Sequence, residues 1–238
     1  MKNKKRILLK LTGTVLADPQ TKGLTTLFIM PLIHQIKKLL PTHQFGLVIG
    51  GGNFFRGNQQ GSSLGITPAI SHQIGMLSTI MNGLIVKDLM EKQSLEVSHF
   101  CALFCPEIGM ATTTQKIMDA LLNNHTLIFT AGTGNPFFTT DTSAVLRALQ
   151  MQADEIWKGT NVDGVYTADP NKNSSAQRIP VLTYKQALDQ QFTIMDATAF
   201  TLADHYKQRI RIFNIFTPDA LIHAAQNKMF GSILEPEG

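Results

Sequence analysis

Short apolar runs alternate with stretches of helical periodicity along this chain, and that alternation admits few folds. Ile7-Leu8-Leu9 and Leu127-Ile128-Phe129 each read as a buried strand, and Phe45 to Ile49, Glu155 to Thr160 and Ile210 to Phe213 as further strands. Between them, Leu32, Ile33, Ile36, Leu39 and Leu40 recur at helical spacing until Pro41 stops the pattern. Ile74, Leu77, Ile80, Met81, Leu84, Ile85 and Leu89 mark a long helix, with its methionines as core filler. A shorter pattern runs through Ile117, Leu121 and Leu122, with Thr114 as its cap. Strand and helix in turn predict an α/β protein, a three-layer αβα sandwich with a mainly parallel central sheet covered on both faces. The 238 residues, 43% of them hydrophobic, suffice for a full core, and we read them as one domain.

The connections carry the chemistry. Ala131 to Asp141 joins the strand at 127–129 to a helix marked by Ala144, Val145, Ala148 and Leu149. Thr140 or Asp141 is the expected cap of that helix. Gly132 and Gly134 let the backbone approach a ligand, and the N–H groups of a helix N-terminus favour an anion. The stretch fits either an ordinary capped turn or a phosphate site. It lacks the Lys-Ser/Thr pair of a Walker A loop.

Gly50-Gly51-Gly52 follows the strand at 45–49, and three consecutive glycines cost backbone entropy unless something must come close. A nest of N–H groups around a phosphate is such a use, and Arg56 could add a forked contact. Lys10, at the end of the first strand, suits a phosphate as a point charge, and Lys158 stands near the end of another. Residues 58–73 and 169–177 read as polar loops. Asp163-Gly164 between β-formers predicts a hairpin. Thr183 with Gln186 is a capping-box pattern, Asp196 opens a helix at 197–203, Pro218 suits a first helical turn, and Gly231 to Leu234 reads as a last edge strand. Lys10, the triple glycine, the 132–141 loop and Lys158 all fall at strand carboxyl ends, where ligands bind in such sheets. Their convergence indicates a phosphate-handling enzyme, with phosphoryl transfer as the reaction, and leaves the acceptor open.

Charge and composition exclude rivals. Twenty-one Lys and Arg against 17 Asp and Glu leave a net charge of +4, suited to anionic small molecules. No long basic run or aromatic-basic interleaving points to nucleic acid. The basic stretch Met1 to Arg6 precedes too short an apolar run for a signal peptide, and no segment is expected to span a membrane. Cys101 and Cys105 lie in an apolar run and read as buried, reduced thiols, which points to the cytoplasm.

Taken together, the motifs resemble those of the bacterial UMP kinases (uridylate kinases) of the amino acid kinase superfamily. The matching pieces are Arg6 to Gly13, Ile49 to Gly57, Gly75-Met76-Leu77, Ala131 to Asp141, Thr160 to Pro170, Met195-Asp196 and Ile210 to Asn214. They keep the family's order over nearly the whole chain, and the 131–141 stretch is the most specific. The resemblance implies an amino acid kinase-like fold whose N-terminal half holds the acceptor and whose C-terminal half holds ATP. It implies ATP and UMP as substrates, Mg²⁺ carried with ATP, no dedicated metal ligands, and a homohexamer.

On the same resemblance, Lys10, Leu11, Thr12 and Gly13 meet ATP at its transferring phosphoryl group. Gly52 and Arg56 meet its phosphates, Lys158 lies along them, and Thr160, Asn161, Tyr166 and Asp169 line the adenosine site. Gly51, Thr133, Gly134, Asn135, Pro136, Phe137, Phe138, Thr139 and Thr140 hold UMP, and Asp141 and Asp196 orient the lysines or the metal. The chain departs from the family pattern in four places. Thr12-Gly13-Thr14 keeps a hydroxyl but lacks the family's acid, Asn161 replaces a lysine, and Pro68 replaces an arginine tied to GTP regulation. His72 stands where the family has an Asp for the ribose hydroxyls. An imidazole offers one hydrogen bond where a carboxylate offers two acceptor oxygens, which bears on UMP affinity and the choice of sugar. A nucleotide-binding sensor without turnover and a kinase acting on an amino-acid carboxylate are the competing functions. Retention of Lys10, Asp141, Lys158 and Asp196 speaks against the first, and the 131–141 loop against the second.

Overall fold

The computed structural model describes residues 4–21, 23–168, 172–173, 175–190, 192 and 194–237, the side chains of 58 and 59 excepted. In chain order the strands are β1 (Lys5–Leu11), β2 (His43–Ile49), β3 (Val97–Cys101), β4 (Met110–Ala111), β5 (Thr126–Thr130), β6 (Glu155–Thr160), β7 (Val165–Tyr166), β8 (Arg178–Ile179), β9 (Val181–Thr183), β10 (Ile210–Asn214) and β11 (Ser232–Glu235). The helices are α1 (Ile29–Leu39), α2 (Pro68–Glu91), α3 (Thr114–Leu122), α4 (Thr140–Gln150), α5 (Tyr184–Asp189), α6 (Ala197–His205) and α7 (Ala220–Gln226). Nine strands form one sheet in the order β4-β3-β5-β2-β1-β6-β10-β11-β9, and only the β10–β11 pair is antiparallel. Side chains alternate across a strand, so β1 feeds two cores. Ile7, Leu9 and Leu11 pack on the side of α1, α2 and α7, whereas Leu8 packs on the side of α3 to α6.

β1 sits between β2, which belongs to the N-terminal half, and β6, which belongs to the C-terminal half. The connections after β1, β2, β5, β6 and β10 therefore emerge side by side at one sheet edge. That is the switch-point geometry where parallel sheets bind ligands.

Several local expectations need correction. The stretch 58–73 is not one loop, because a π-helical turn spans Gly57–Gly61 and α2 already begins at Pro68. A proline costs nothing at a first helical position, where its missing N–H has no partner to lose. α2 has 24 residues and, by length and composition, could cross a membrane, contrary to the expectation from sequence. Here it packs on the sheet, burying Met76, Ile80, Val86 and Met90. Asp163-Gly164 makes no hairpin, because β7 pairs with β8 and Gly164 lacks the positive φ of the tight hairpin turn. Instead, a Cβ at Gly164 would lie 2.4 Å from Ser232 Oγ. β11 is internal, bonded to β10 and β9, and not an edge. Pro218 precedes the cap of α7, Asp219, rather than entering its first turn. The cap of α3 is Thr113, not Thr114, since its hydroxyl accepts the Lys116 N–H. Cys101 and Cys105 are both free, but only Cys101 is buried, and neighbouring Phe104 is 93% exposed. The capping box at Thr183 and Gln186 and the Asp196 cap form as expected.

Candidate active site

Two of the connections interlock at the sheet edge. The Gly50 N–H donates to the Leu11 carbonyl at 2.9 Å, which joins the β2 exit to the end of β1. A Cβ on Gly13 would fall 2.6 Å from the Gly50 carbonyl oxygen and 2.4 Å from Asn53 Oδ1, so only glycine lets these loops touch. A Cβ on Gly51 would meet Ser78 Cβ of α2 at 2.6 Å, whereas one on Gly52 would come no nearer than 4.0 Å to Arg56 Cγ. Asn82, fully buried on α2, fixes this arrangement. Its Nδ2 donates to the Gly50 carbonyl and to Asn53 Oδ1, both at 2.7 Å. Sequence reading missed Asn82; an amide on the inward face of an apolar helix was its one available signal.

Beside the interlock lies a cavity of about 530 Å³. Gly51, Gly52, Arg56, His72, Gly132 and Thr140 are among its walls. Arg56 Nε donates to the Gly52 carbonyl at 3.2 Å, which leaves the rest of the guanidinium fork for an anion. The His72 ring sits 5.3 Å from the Phe137 ring. The loop from Ala131 to Phe138 turns through left-handed backbone at Ala131, Gly132, Gly134 and Phe137. Thr139 ends it as the cap of α4, accepting the Asp141 N–H at 3.0 Å; the expected caps, Thr140 and Asp141, lie within the first turn.

That first turn brings Asp141 between two lysines from different strands. Lys158 Nζ of β6 lies 2.6 Å from Asp141 Oδ2, and Lys10 Nζ of β1 lies 3.0 Å from Oδ1. Lys158 also donates to the Ile194 carbonyl. Burial works against the charge of Asp141, but the two lysines outweigh it and hold the carboxyl below its ordinary range. Burial pushes Lys158 down to about 8, although Asp141 pulls the other way. Among the described residues Asp196 forms no ion pair with either lysine. Its carboxylate accepts the Thr139 hydroxyl at 2.5 Å and the Thr142 hydroxyl at 2.9 Å, and the Ala199 N–H at 2.9 Å, so it ties α6 to the start of α4. With those oxygens taken up by donors, it steadies the turn that carries Asp141, and its charge also acts on Lys158.

Other expected site residues stand apart from this cluster. Leu11 is fully buried in the core, so only its backbone can face a ligand. The Thr12 hydroxyl accepts the Thr14 N–H at 3.4 Å and starts a 3-10 turn over Gly13–Leu16. Thr133 and Asn135 bond one another within their loop, next to Pro136, and Phe138 lines the cavity. Thr160 closes its hydroxyl onto the Val162 carbonyl at 2.7 Å, with Asn161 exposed in that turn. Tyr166 donates to Asp163 Oδ1 at 2.6 Å on the β7–β8 ribbon, away from the cavity walls. Asp169 lies outside the described residues.

Among the described residues no three His, Cys, Asp or Glu side chains cluster as metal ligands. With Asp141 held by lysines and Asp196 by hydroxyls, the donor set fits a divalent ion that stays on ligand phosphates and water.

The profile of the amino acid kinase family matches residues 5–214. The chain is 39% identical over 232 residues to the uridylate kinase of Mycoplasma pneumoniae, covering 97% of this chain and 98% of that one. It is 38% identical over 231 residues to the uridylate kinase of Salmonella typhimurium, covering 97% and 95%. Among solved structures, UMP kinase from Ureaplasma parvum superposes with a TM-score of 0.93 at 31% identity, covering 98% of this chain and 99% of that one. UMP kinase from Bacillus anthracis superposes with the same TM-score of 0.93 at 30% identity, covering 98% and 97%.

Proposed function

Because the chain belongs to the amino acid kinase family, and within it to the uridylate kinases, we propose that it transfers the γ-phosphoryl group of ATP to the phosphate of UMP, giving ADP and UDP. The observation that carries this reading is the Lys10–Asp141–Lys158 cluster beside a cavity walled by glycine backbone and Arg56. Phosphoryl transfer asks little covalent chemistry of a protein. It asks that two anions be held in line and that charge on the equatorial oxygens be met. Two ammonium groups fixed by one carboxylate supply that charge with little reorganisation.

In this reading the N-terminal half of one domain holds UMP, with Gly51, His72 and the loop from Thr133 to Thr140 around it. The C-terminal half holds ATP through Thr160, Asn161, Tyr166 and Asp169. Lys10, the Thr12–Gly13 turn, Gly52, Arg56 and Lys158 line the phosphates between them. Mg²⁺, carried with ATP, would neutralise part of the phosphate charge. We read the enzyme as cytoplasmic and as a homohexamer. The outward stripe Ile70, Leu77, Met81 and Leu84 on α2 supports assembly, since these residues are exposed and apolar at helical spacing.

The test is a coupled ADP-release assay with Mg²⁺-ATP across UMP, CMP, dUMP and N-acetylglutamate. Turnover led by UMP supports the reading. Turnover with N-acetylglutamate and none with UMP refutes it, as does UMP binding without turnover, which would identify a sensor.

A further inference from the structure

Arg147 of α4 is buried, with 4% of its surface exposed, and forms no ion pair among the described residues. Its Nη1 donates to Gln150 Oε1 at 2.6 Å, and its Nε is buried without an acceptor. Burial alone pushes the guanidinium down to about 10. A buried cation without a counter-ion is costly, and nothing in the Lys10–Asp141–Lys158 chemistry uses it.

Its remaining contact explains its place. Nη2 donates to the Gly132 carbonyl at 2.8 Å. Gly132, at φ 58°, is the second of two consecutive left-handed residues, and the first is a fully buried alanine, Ala131, at φ 60°. A non-glycine residue in that region is strained and persists only when its surroundings hold it. Three bonds do so: Thr79 Oγ1 accepts the Ala131 N–H at 2.9 Å, the Gly134 N–H donates to the Ala131 carbonyl at 2.9 Å, and Arg147 holds Gly132. Gly132 is itself a cavity wall.

We propose that Arg147 is a positioning residue for the acceptor: from behind the loop it holds the strained Ala131–Gly132 turn in the shape that receives the nucleoside monophosphate. This rests on reading residues 133–140 as the UMP loop. Its charge faces a loop that meets a dianion, so acceptor binding offsets part of the cost of burying it. Arg147 touches no substrate and acts through Gly132.

Steady-state kinetics with UMP and with ATP, together with melting of the ligand-free protein, test this on Arg147→Met and Arg147→Lys. For Arg147→Met the UMP KM should rise about tenfold or more, the scale of one charged hydrogen bond. The ATP KM and kcat should change little, and the melting temperature should not fall, because an uncompensated buried charge has been removed. Arg147→Lys, which keeps the charge and one donor, should recover most of the loss. In an Ala131→Gly background, where the turn is unstrained, Arg147→Met should cost less UMP affinity. A lower melting temperature, or kcat and both KM values deteriorating together, would make Arg147 merely structural and overturn the proposal; so would an unchanged UMP KM. Absence of UMP turnover in the wild type would instead refute the acceptor assignment.

Discussion

The Asp141 carboxylate is gripped from both sides, by Lys158 Nζ at 2.6 Å and by Lys10 Nζ at 3.0 Å. Asp141→Asn keeps the shape and removes the carboxylate charge that pairs with two largely buried ammonium groups. Breaking a buried ion pair costs about 3–5 kcal/mol, so the ligand-free variant should melt lower. ATP or inorganic phosphate should restore part of that stability by supplying the missing anion. Turnover should fall by about 10²–10³, the scale for a lost electrostatic contact in a transition state. A ligand-free variant as stable as the wild type would contradict this account of the pair.

Lys158 gives the reaction a basic limb. With its pKa lowered to about 8, it loses its charge above that pH, and kcat/KM for the free enzyme should decline from about pH 8 upward. Lys158→Arg keeps its charge through this range, so its rate should be lower but should lack the limb. Stability runs the other way. Between about 8 and the ordinary lysine value of 10.5, the unfolded chain binds the proton that folded Lys158 has given up. Stability of the ligand-free protein should therefore rise with pH across that window. A rate profile that stays flat to pH 9 would contradict the assignment.

Much of the fold was legible because it rests on periodicity. The parallel strands through Leu8, Leu47 and Ile128 are continuous apolar runs, the pattern a sheet buried on both faces requires. What escaped depends on partners far along the chain. Gly164 resembles a hairpin turn until Ser232 is seen against it, and β11 looks like an edge until β9 is seen to pair with it. At the site, Lys10 and Lys158 could be placed at strand ends from sequence. That Asp141 meets both of them while Asp196 instead holds Thr139 and Thr142 depends on how α4 and α6 approach one another. Asn82 and Arg147 escaped because a buried polar residue on a helix is not marked by its immediate neighbours.

His72 faces the cavity with a ring where two acceptor oxygens would serve sugar hydroxyls better. His72→Asp gives up the contact with Phe137, a pair worth about 0.5–1.5 kcal/mol. It can gain hydrogen bonds to a charged group worth about 1.5–3 kcal/mol each. The UMP dissociation constant should fall several-fold, and the preference for UMP over dUMP should widen. Calorimetric titration with both nucleotides decides it, and an unchanged UMP constant would count against the role given to His72.

At the opposite end of the strands, Glu155 is 2% exposed and meets Arg211 Nε at 2.9 Å and Lys5 Nζ at 2.6 Å. Burial raises its carboxyl, but Lys5 and Arg211 prevail and the value lies below the ordinary one. Its contribution to stability is therefore present above the unfolded pKa of about 4.3 and is lost as pH falls through the folded value. Glu155→Gln should cost about 3–5 kcal/mol at pH 7 by urea unfolding, with the gap to the wild type narrowing in acid. A gap that persists unchanged below pH 4 would place the cost in packing instead of charge.

The most direct measurement is product analysis of wild type and Lys10→Ala given Mg²⁺-ATP and UMP, with thermal melting of both proteins alongside. The account predicts ADP and UDP in equal amounts from the wild type. It predicts a loss of about 10² or more in rate for Lys10→Ala, with a smaller fall in melting temperature than for Asp141→Asn because Asp141 keeps Lys158. ADP without UDP from the wild type, or full turnover by Lys10→Ala, would contradict it.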